Sequence, residues 1–255
     1  MAAQLYGGVE SVLTGSPLLV RKRVKAAHHP ALHVPGNAHV LVPHAHKRTS
    51  HGFVTVERTV CMPAFREKGG LRFAPLSRAV LDAVRRCSDE NAVRALIFEV
   101  VQRGLVTPEA LEDERRLGQI RGSRFARLAL EEVFAGARSV AEGDVRREFL
   151  ERGWTDLLFN PWLHLPDGRF LARPDVYHAS GVCLEVDSRE HHFGVESWEA
   201  TMRRHAFMTA HGLSVIHTPP SRWSREPDAV IEEFAQAVDV RRGWPPLNLR
   251  VTEAA

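Results

Sequence analysis

A strand-like stretch around residue 185 constrains the fold more than any other part of this sequence. Apolar residues occupy every second position of 182–187, written VCLEVD. Because successive side chains of a strand point to opposite faces, the apolar residues at even positions share one face, which we expect to be core. The opposite face then carries Cys183, Glu185 and Asp187.

The turn before this strand predicts a hairpin that brings a third acid close. A three-residue loop, 179–181 with glycine last, is a common connection between antiparallel strands. It pairs position 178 with 182, and therefore Asp175 with Glu185. Cross-strand partners have Cβ atoms roughly 5 Å apart on one face. We therefore expect Asp175, Glu185 and Asp187 to form one acidic cluster.

Such a cluster is typical of a site for a hard divalent ion. Carboxylates this close destabilise one another unless a cation compensates them. Oxygen ligands suit Mg²⁺ or Mn²⁺, which can polarise a phosphoryl oxygen and activate water for phosphodiester cleavage. The alternative is a hairpin face whose acids lie in water or pair with arginine. The arginines considered as partners of these acids are Arg189, Arg203 and Arg204, which follow the strand in sequence.

The composition is that of a globular chain with room for two domains. It has 255 residues, 44% of them apolar and 25% charged. No apolar run approaches the roughly 18 residues that span a bilayer, and the first residues lack the charged start of a signal peptide. The three cysteines fit neither a disulfide framework nor a metal motif. We expect a cytoplasmic protein with no membrane association and no small-molecule cofactor.

Positive charge is concentrated near the N-terminus. No acid occurs in 11–56, which contains six arginines and lysines and seven of the fourteen histidines. Strands at 39–43 and 52–60 are predicted to form a hairpin whose basic tip, HAHKRTSH, suits a polyanion such as DNA. Zinc binding by the histidines at 39, 44, 46 and 51 is disfavoured, because no cysteine or acid stands at ligand spacing.

The order of predicted elements indicates an α/β (α+β) protein. Helices are expected at 75–87, 89–104 and 107–118, and a change of composition near residue 120 indicates a boundary. Two helices, three strands, a helix, a strand and a final helix are predicted beyond it. This order predicts a smaller mixed α/β domain at 1–118 and a mixed sheet flanked by helices at 119–245.

The second domain resembles a known nuclease family. The residues that carry the resemblance are GRFLARPDVY, VCLEVDSREHHF and MRRHAFMTAHGLSVIHTPPSRW, and the likeness covers roughly 120–240. They are similar to the domain related to very-short-patch-repair endonucleases, in the PD-(D/E)XK superfamily. The resemblance implies a restriction-endonuclease-like fold and a magnesium-dependent DNA endonuclease, with Asp175 as the acid of the "PD" pair.

The same resemblance implies further catalytic residues. Glu142 stands where a helix of this family supplies a glutamate, and His192, or its neighbour His191, would act as base or proton donor. The lysine of the superfamily is missing, because position 187 is Asp and the last lysine of the chain is Lys68. Arg203 would contact a scissile phosphate or pair with Glu185.

The first domain resembles the middle part of AbiEi-type antitoxin-like proteins. HVLVPHAHKRTSHGFVTVERT and GLRFAPLSRAVLDAV carry this likeness, and no winged-helix unit is recognised ahead of them. It implies DNA as a partner, together with a protein partner of the toxin–antitoxin type. Three functions stay open from the sequence: a metal-dependent endonuclease, a non-catalytic DNA-binding or toxin–antitoxin regulatory protein that keeps a nuclease fold, and a protein-interaction module.

Overall fold

The computed structural model describes residues 1–117, 122–137, 139–186 and 195–253. The chain divides into two compact units, Met1–Val140 and Ala141–Ala255. Helices and several sheets are interspersed along it, in agreement with the predicted α/β (α+β) class. Within the described ranges, no helix combines the length and apolar character needed to cross a bilayer.

Three helices of the first unit begin within one residue of their predicted starts, whereas its two N-terminal helices were not predicted. The Asp89 carboxylate accepts a hydrogen bond from the Ala92 N–H, and the Thr107 hydroxyl accepts one from the Ala110 N–H. Both bonds satisfy backbone donors that a helix start leaves open. The helices are α1 (Ala2–Gly7), α2 (Gly15–Arg21), α3 (Leu76–Val84), α4 (Glu90–Gln102), α5 (Pro108–Leu117) and α6 (Arg124–Phe134).

The strands of the first unit form one sheet in the order β3-β2-β1-β5-β4. The predicted hairpin of its two longest strands is wrong, because β2 and β3 run parallel, with His39 opposite Thr55 and Pro43 opposite Thr59. The connection 44–54 returns to the starting end of β2 before β3 begins. The strands are β1 (Val12–Leu13), β2 (His39–Pro43), β3 (Thr55–Thr59), β4 (Arg66–Lys68) and β5 (Leu71–Phe73).

The main core of the first unit includes α6. Ala126, Ala129 and Leu130 of this helix are buried among the apolar residues of α3 and α4. The Arg94 guanidinium of α4 donates two hydrogen bonds, 2.9 and 2.8 Å, to one carboxylate oxygen of Glu132. The sequence places a boundary near residue 120, whereas the compact units divide at residue 140, and the intervening α6 packs within the first unit.

The second unit contains four helices and seven strands in its described residues. Its first helix begins at the last residue of the first unit. The helices are α7 (Val140–Glu151), α8 (Val195–Ala210), α9 (Pro220–Arg225) and α10 (Pro227–Arg242). The strands are β6 (Leu157–Phe159), β7 (Trp162–His164), β8 (Phe170–Ala172), β9 (Val176–His178), β10 (Val182–Val186), β11 (Ser214–Thr218) and β12 (Arg250–Thr252).

Two predicted strands of this unit are each divided in two. The break in 159–165 falls at Asn160, whose φ of 55° lies in the left-handed region. The break in 170–177 falls at Pro174, which has no N–H for a ladder. As a result the strands form two sheets, β11-β10-β9-β6 and β12-β7-β8.

Strand β10 lies at the centre of the second unit and is buried on both faces. Val182, Leu184 and Val186 pack with Val145 and Phe149 of α7, so the predicted core face is confirmed. Cys183, on the other face, belongs to a separate apolar cluster with Met208 of α8. Both faces of the strand are therefore covered, and Glu185 lies on the face toward α8.

Candidate functional site

The hairpin of β9 and β10 has the predicted register. His178 pairs with Val182, and Val176 pairs with Leu184, in an antiparallel ladder. Gly181 closes the turn with φ of +88°, a conformation in which other residues are strained, and its N–H donates to the His178 carbonyl at 2.9 Å. The ladder ends at the pair of Val176 with Leu184, one residue before the expected pairing of Asp175 with Glu185.

Asp175 lies just before β9 and has a structural contact of its own. Its carboxylate accepts a hydrogen bond of 2.7 Å from the backbone N–H of Val186. The backbone ladder ends at the pair of Val176 with Leu184, and this side-chain bond is a further connection beyond that end. The half-buried Asp175 side chain is therefore held at the end of the central strands.

Glu185 is a buried acid, with only 6% of its surface exposed. The neighbour on its face, Cys183, is fully buried. Burial raises the pKa of the Cys183 thiol far above its ordinary value, and the nearby charge of Glu185 raises it further. Cys183 is therefore a neutral, packed thiol rather than a nucleophile or a thiolate ligand.

Three basic side chains surround the Glu185 carboxylate. The guanidinium Nη2 of Arg204 donates to Glu185 Oε2 at 2.7 Å. The Nε2 atoms of His217 and His205 lie 3.6 and 4.0 Å from the same oxygen. This agrees with the predicted alternative of an acid paired to Arg204, but Glu185 itself does not face water.

Pairing of two distant strands brings His217 to Glu185. Strand β11 runs parallel to β10, and its register sets His217 beside Glu185. His205 comes from α8, three residues before the buried Met208, so it faces the sheet from the same side. The two imidazole rings lie against each other, with centroids 3.5 Å apart and planes 31° apart.

The resulting cluster has the composition of a metal-binding site. Glu185, His205 and His217 each offer one ligand atom, and these atoms lie within 4.8 Å of one another. Asp175 is not a member of this group. Sequence reasoning missed both histidines, although the alternation in SVIHT, residues 214–218, indicated that His217 shares a strand face with Val215.

The other predicted site residues have different outcomes. Asp187 and His192, like His191, lie outside the described residues. Glu142 is half-buried in the first turn of α7, a helix that packs on the face of β10 opposite Glu185. Arg203 points to solvent, with its side chain 73% exposed, and pairs with Glu199 at 3.7 Å, so Arg204 rather than Arg203 reaches Glu185.

The first unit contains a basic groove of about 540 Å³ next to β3. The basic residues that line it come from the connection after β2, from β3 and from the end of α3. Glu57 is the acid in the lining, and its nearest basic neighbour there is Arg86 at 3.8 Å. The basic lining residues are His44, Lys47, Arg48, Arg58 and Arg86.

The histidines of the first unit have separate surroundings. His39 is buried with its Nε2 3.2 Å from Glu57, and His46 pairs with Glu10 at 3.1 Å. The ring of His51 stacks on Tyr6, with centroids 6.3 Å apart. These different partners agree with the expectation that the histidines do not form one zinc site.

Comparison with known proteins finds no match. No protein-family model, no curated protein and no solved structure matches this chain. The resemblances to very-short-patch-repair endonucleases and to AbiEi-type proteins therefore stay predictions from the sequence.

Proposed function

We propose that the second unit is a restriction-endonuclease-like domain that hydrolyses DNA phosphodiester bonds with a divalent metal ion. The observation that carries this proposal is the register of the central hairpin. Extended by one residue beyond its last pair, Val176 with Leu184, this register would set Asp175 opposite Glu185, where the "PD" spacing requires the two acids. A mixed sheet with helices packed on both faces supports the same conclusion.

The residues at this edge have distinct parts in the proposed reaction. Asp175 and Glu185 supply the oxygen ligands that Mg²⁺ or Mn²⁺ takes, and the bond from the Val186 N–H fixes the direction of Asp175. A bound ion would polarise the scissile phosphate and activate water. Arg204, which now neutralises Glu185, is the cation nearest to that carboxylate and would turn to a phosphate oxygen.

The basic groove of the first unit supports DNA as the substrate. Lys47, Arg48 and Arg58 border an open cavity, and phosphate contacts by such side chains dominate the affinity of proteins for DNA. We assign positioning of the duplex to this groove and cleavage to the second unit. The proposal includes a cytoplasmic location and a protein partner of the toxin–antitoxin type, as implied by the AbiEi-type resemblance.

A second candidate is a non-catalytic DNA-binding or regulatory protein that keeps the nuclease fold. Two observations favour it. The chain has no lysine after Lys68 to assist the attacking hydroxide, and Arg204 already neutralises the buried Glu185. In this case the second unit would keep the fold without catalysing a reaction, and the first unit would bind DNA.

Incubation of the protein with plasmid DNA and Mn²⁺ or Mg²⁺ distinguishes the two functions. Asp175→Asn removes the charge but keeps an oxygen that can accept from the Val186 N–H, so the fold is retained. We expect it to lower cleavage more than a hundredfold. Asp167→Asn, at an exposed turn of the same unit, is the matched control and keeps full activity. Cleavage by wild type and Asp175→Asn at equal rates would contradict the catalytic assignment.

Binding of DNA is measured separately, by titration at several salt concentrations. Replacing Lys47 with Gln removes one phosphate contact, and the slope of log affinity against log salt should fall by about 0.9. Lys22→Gln, an exposed lysine outside the groove lining, should leave the slope unchanged. Equal slopes for wild type and Lys47→Gln would exclude the groove as the DNA contact.

A further inference from the structure

We propose that Glu185, His205 and His217 bind a divalent transition-metal ion of the zinc class. The three side chains come from β10, α8 and β11, and their ligand atoms lie within 4.8 Å of one another. The acids alone predict magnesium for the proposed hydrolysis. With the two histidines as ligands, a zinc-class ion would take its place. Binding of this ion does not depend on the protein being a nuclease.

The distances are close to those of a tetrahedral site. Ligands about 2.1 Å from a zinc ion lie about 3.4 Å apart. Glu185 Oε2 is 3.6 Å from Nε2 of His217 and 4.0 Å from Nε2 of His205. Both oxygen-to-nitrogen distances therefore need to shorten by less than an ångström. The two rings must also spread from a centroid distance of 3.5 Å to about 5 Å, and their side chains are 21% and 26% exposed.

The kind of ligand selects the ion. Imidazole nitrogen binds Zn²⁺, Co²⁺ and Fe²⁺ well, whereas Mg²⁺ is bound through oxygen. Two histidines with one glutamate, and a further position for water, are typical of hydrolytic zinc sites.

Arg204 takes the place of the ion in this structure. Its Nη2 lies 2.7 Å from Glu185 Oε2, the oxygen that both histidines approach. An ion would compete with the guanidinium for that oxygen. The Arg204 side chain is 41% exposed, so it can move into water at little cost. Removing Arg204 should therefore strengthen metal binding.

Titrations of the full chain with Co²⁺ and Zn²⁺ test the site directly. Bound Co²⁺ should give the visible absorption bands of a tetrahedral nitrogen and oxygen site, without thiolate charge transfer, because Cys183 is buried and neutral. Calorimetry should show one strongly bound Zn²⁺ per chain that is lost or at least tenfold weaker in His205→Asn and in His217→Asn. His211→Asn, just after the same helix, is the matched control and should bind as wild type does.

The arginines of α8 provide a second pair of variants. Arg204→Gln should bind Zn²⁺ severalfold more tightly, because the competing cation is gone. Arg203→Gln, a neighbour that pairs with Glu199, should not change the affinity. A gain in affinity is a sharper test than a loss, because a folding defect would not produce it.

The outcomes separate this site from the proposed nuclease activity. Zinc binding that is equal in wild type and in both histidine variants, or a cobalt spectrum of octahedral oxygen ligation, would overturn the assignment. The wild-type spectrum decides the matter even if a histidine variant does not fold. Zinc binding without DNA cleavage would support the metal site and contradict the nuclease proposal. Cleavage with magnesium that persists in His217→Asn would support the nuclease proposal and contradict only the assignment of this ion to the hydrolysis.

Discussion

Each unit buries one acid among basic partners, and the two clusters differ in how their partners are held. Asp82 of the first unit is fully buried, and Glu185 of the second is 6% exposed. Asp82 contacts arginines that are themselves buried. Glu185 contacts an arginine and two histidines that reach the surface.

The side chains that contact Asp82 are buried and held in place. Its carboxylate accepts hydrogen bonds from the Thr14 hydroxyl at 2.7 Å and from Arg78 and Arg85 at 2.9 Å each. Burial raises the pKa of Asp82, and the charge of Arg78 and the bond from Thr14 act against that rise. Arg78 also donates to the Cys61 carbonyl, so its guanidinium is fixed from several sides.

The Glu185 cluster can exchange partners. Arg204 has 41% of its side chain in solvent and can leave without stranding a buried charge, because His217 lies 3.6 Å from the same carboxylate. Burial of an acid therefore does not by itself indicate a functional site. Exposure of the groups around it distinguishes a site that can bind from a network that only supports the fold.

The largest effect is expected for Asp82→Asn. It removes the nearest carboxylate of Arg78 and Arg85, which keep only Glu114 at 3.3 Å and Glu57 at 3.8 Å as ion-pair partners in the described residues, and should lower the free energy of unfolding by about 3 kcal/mol. Urea unfolding followed by far-ultraviolet circular dichroism measures this loss. All five tryptophans lie in the second unit, so their fluorescence reports that unit separately. Arg116→Gln, an exposed surface pair, is the control and should change the stability by less than about 0.5 kcal/mol.

A smaller effect is expected for Glu185→Gln. The substitution removes a buried charge, and Arg204 can turn to water, so the free energy of unfolding should change by about 1 kcal/mol or less. Tryptophan fluorescence during urea unfolding measures it, with the exposed Glu199→Gln for comparison. A loss as large as that of Asp82→Asn would mean that the partners of Glu185 are held as firmly as those of Asp82.

The smallest effect concerns pH. Burial would raise the pKa of Glu57, but the hydrogen bond with His39 and the charges of His39, Arg86 and Arg85 outweigh it and lower the pKa below 4.5. The stabilisation from Glu57 is therefore complete above that value and is lost as pH falls through the lowered pKa.

Glu57→Gln should remove this part of the acid loss of stability. Urea unfolding of wild type and variant, from neutral pH to well below 4.5, should give a flatter acid limb for the variant. Glu67→Gln, whose side chain is largely exposed, should follow the wild-type curve. Identical acid limbs for Glu57→Gln and wild type would show that Glu57 is not stabilised in the folded state.

Local signals predicted much of the secondary structure. Asp89 and Thr107 begin helices as expected, because a side chain can satisfy the open N–H groups of the next turn without help from distant residues. The turn ending at Gly181 set the hairpin register for the same reason. The broken strands at Asn160 and Pro174 were missed, since the apolar pattern continues across both.

The candidate site was predicted only in part. The hairpin has the expected register from His178 with Val182 to Val176 with Leu184, whereas the pairing of Asp175 with Glu185 stays a prediction. The contacts of Glu185 with Arg204, His205 and His217 were not expected as a set, because α8 begins nine residues and β11 28 residues after the last residue of β10. No local pattern states which helix covers a strand or which strand lies beside it.

The sequence by itself therefore determined the helices α3 to α8 and α10, the alternation of β10 and the register of the hairpin of β9 and β10. Tertiary structure decided that β2 and β3 run parallel, that β11 lies beside β10, and that both faces of β10 are buried. The physical reason is the range of the interactions. Caps, turns and side-chain alternation act within a few residues, whereas strand neighbours and helix packing follow from how the whole chain buries its apolar surface.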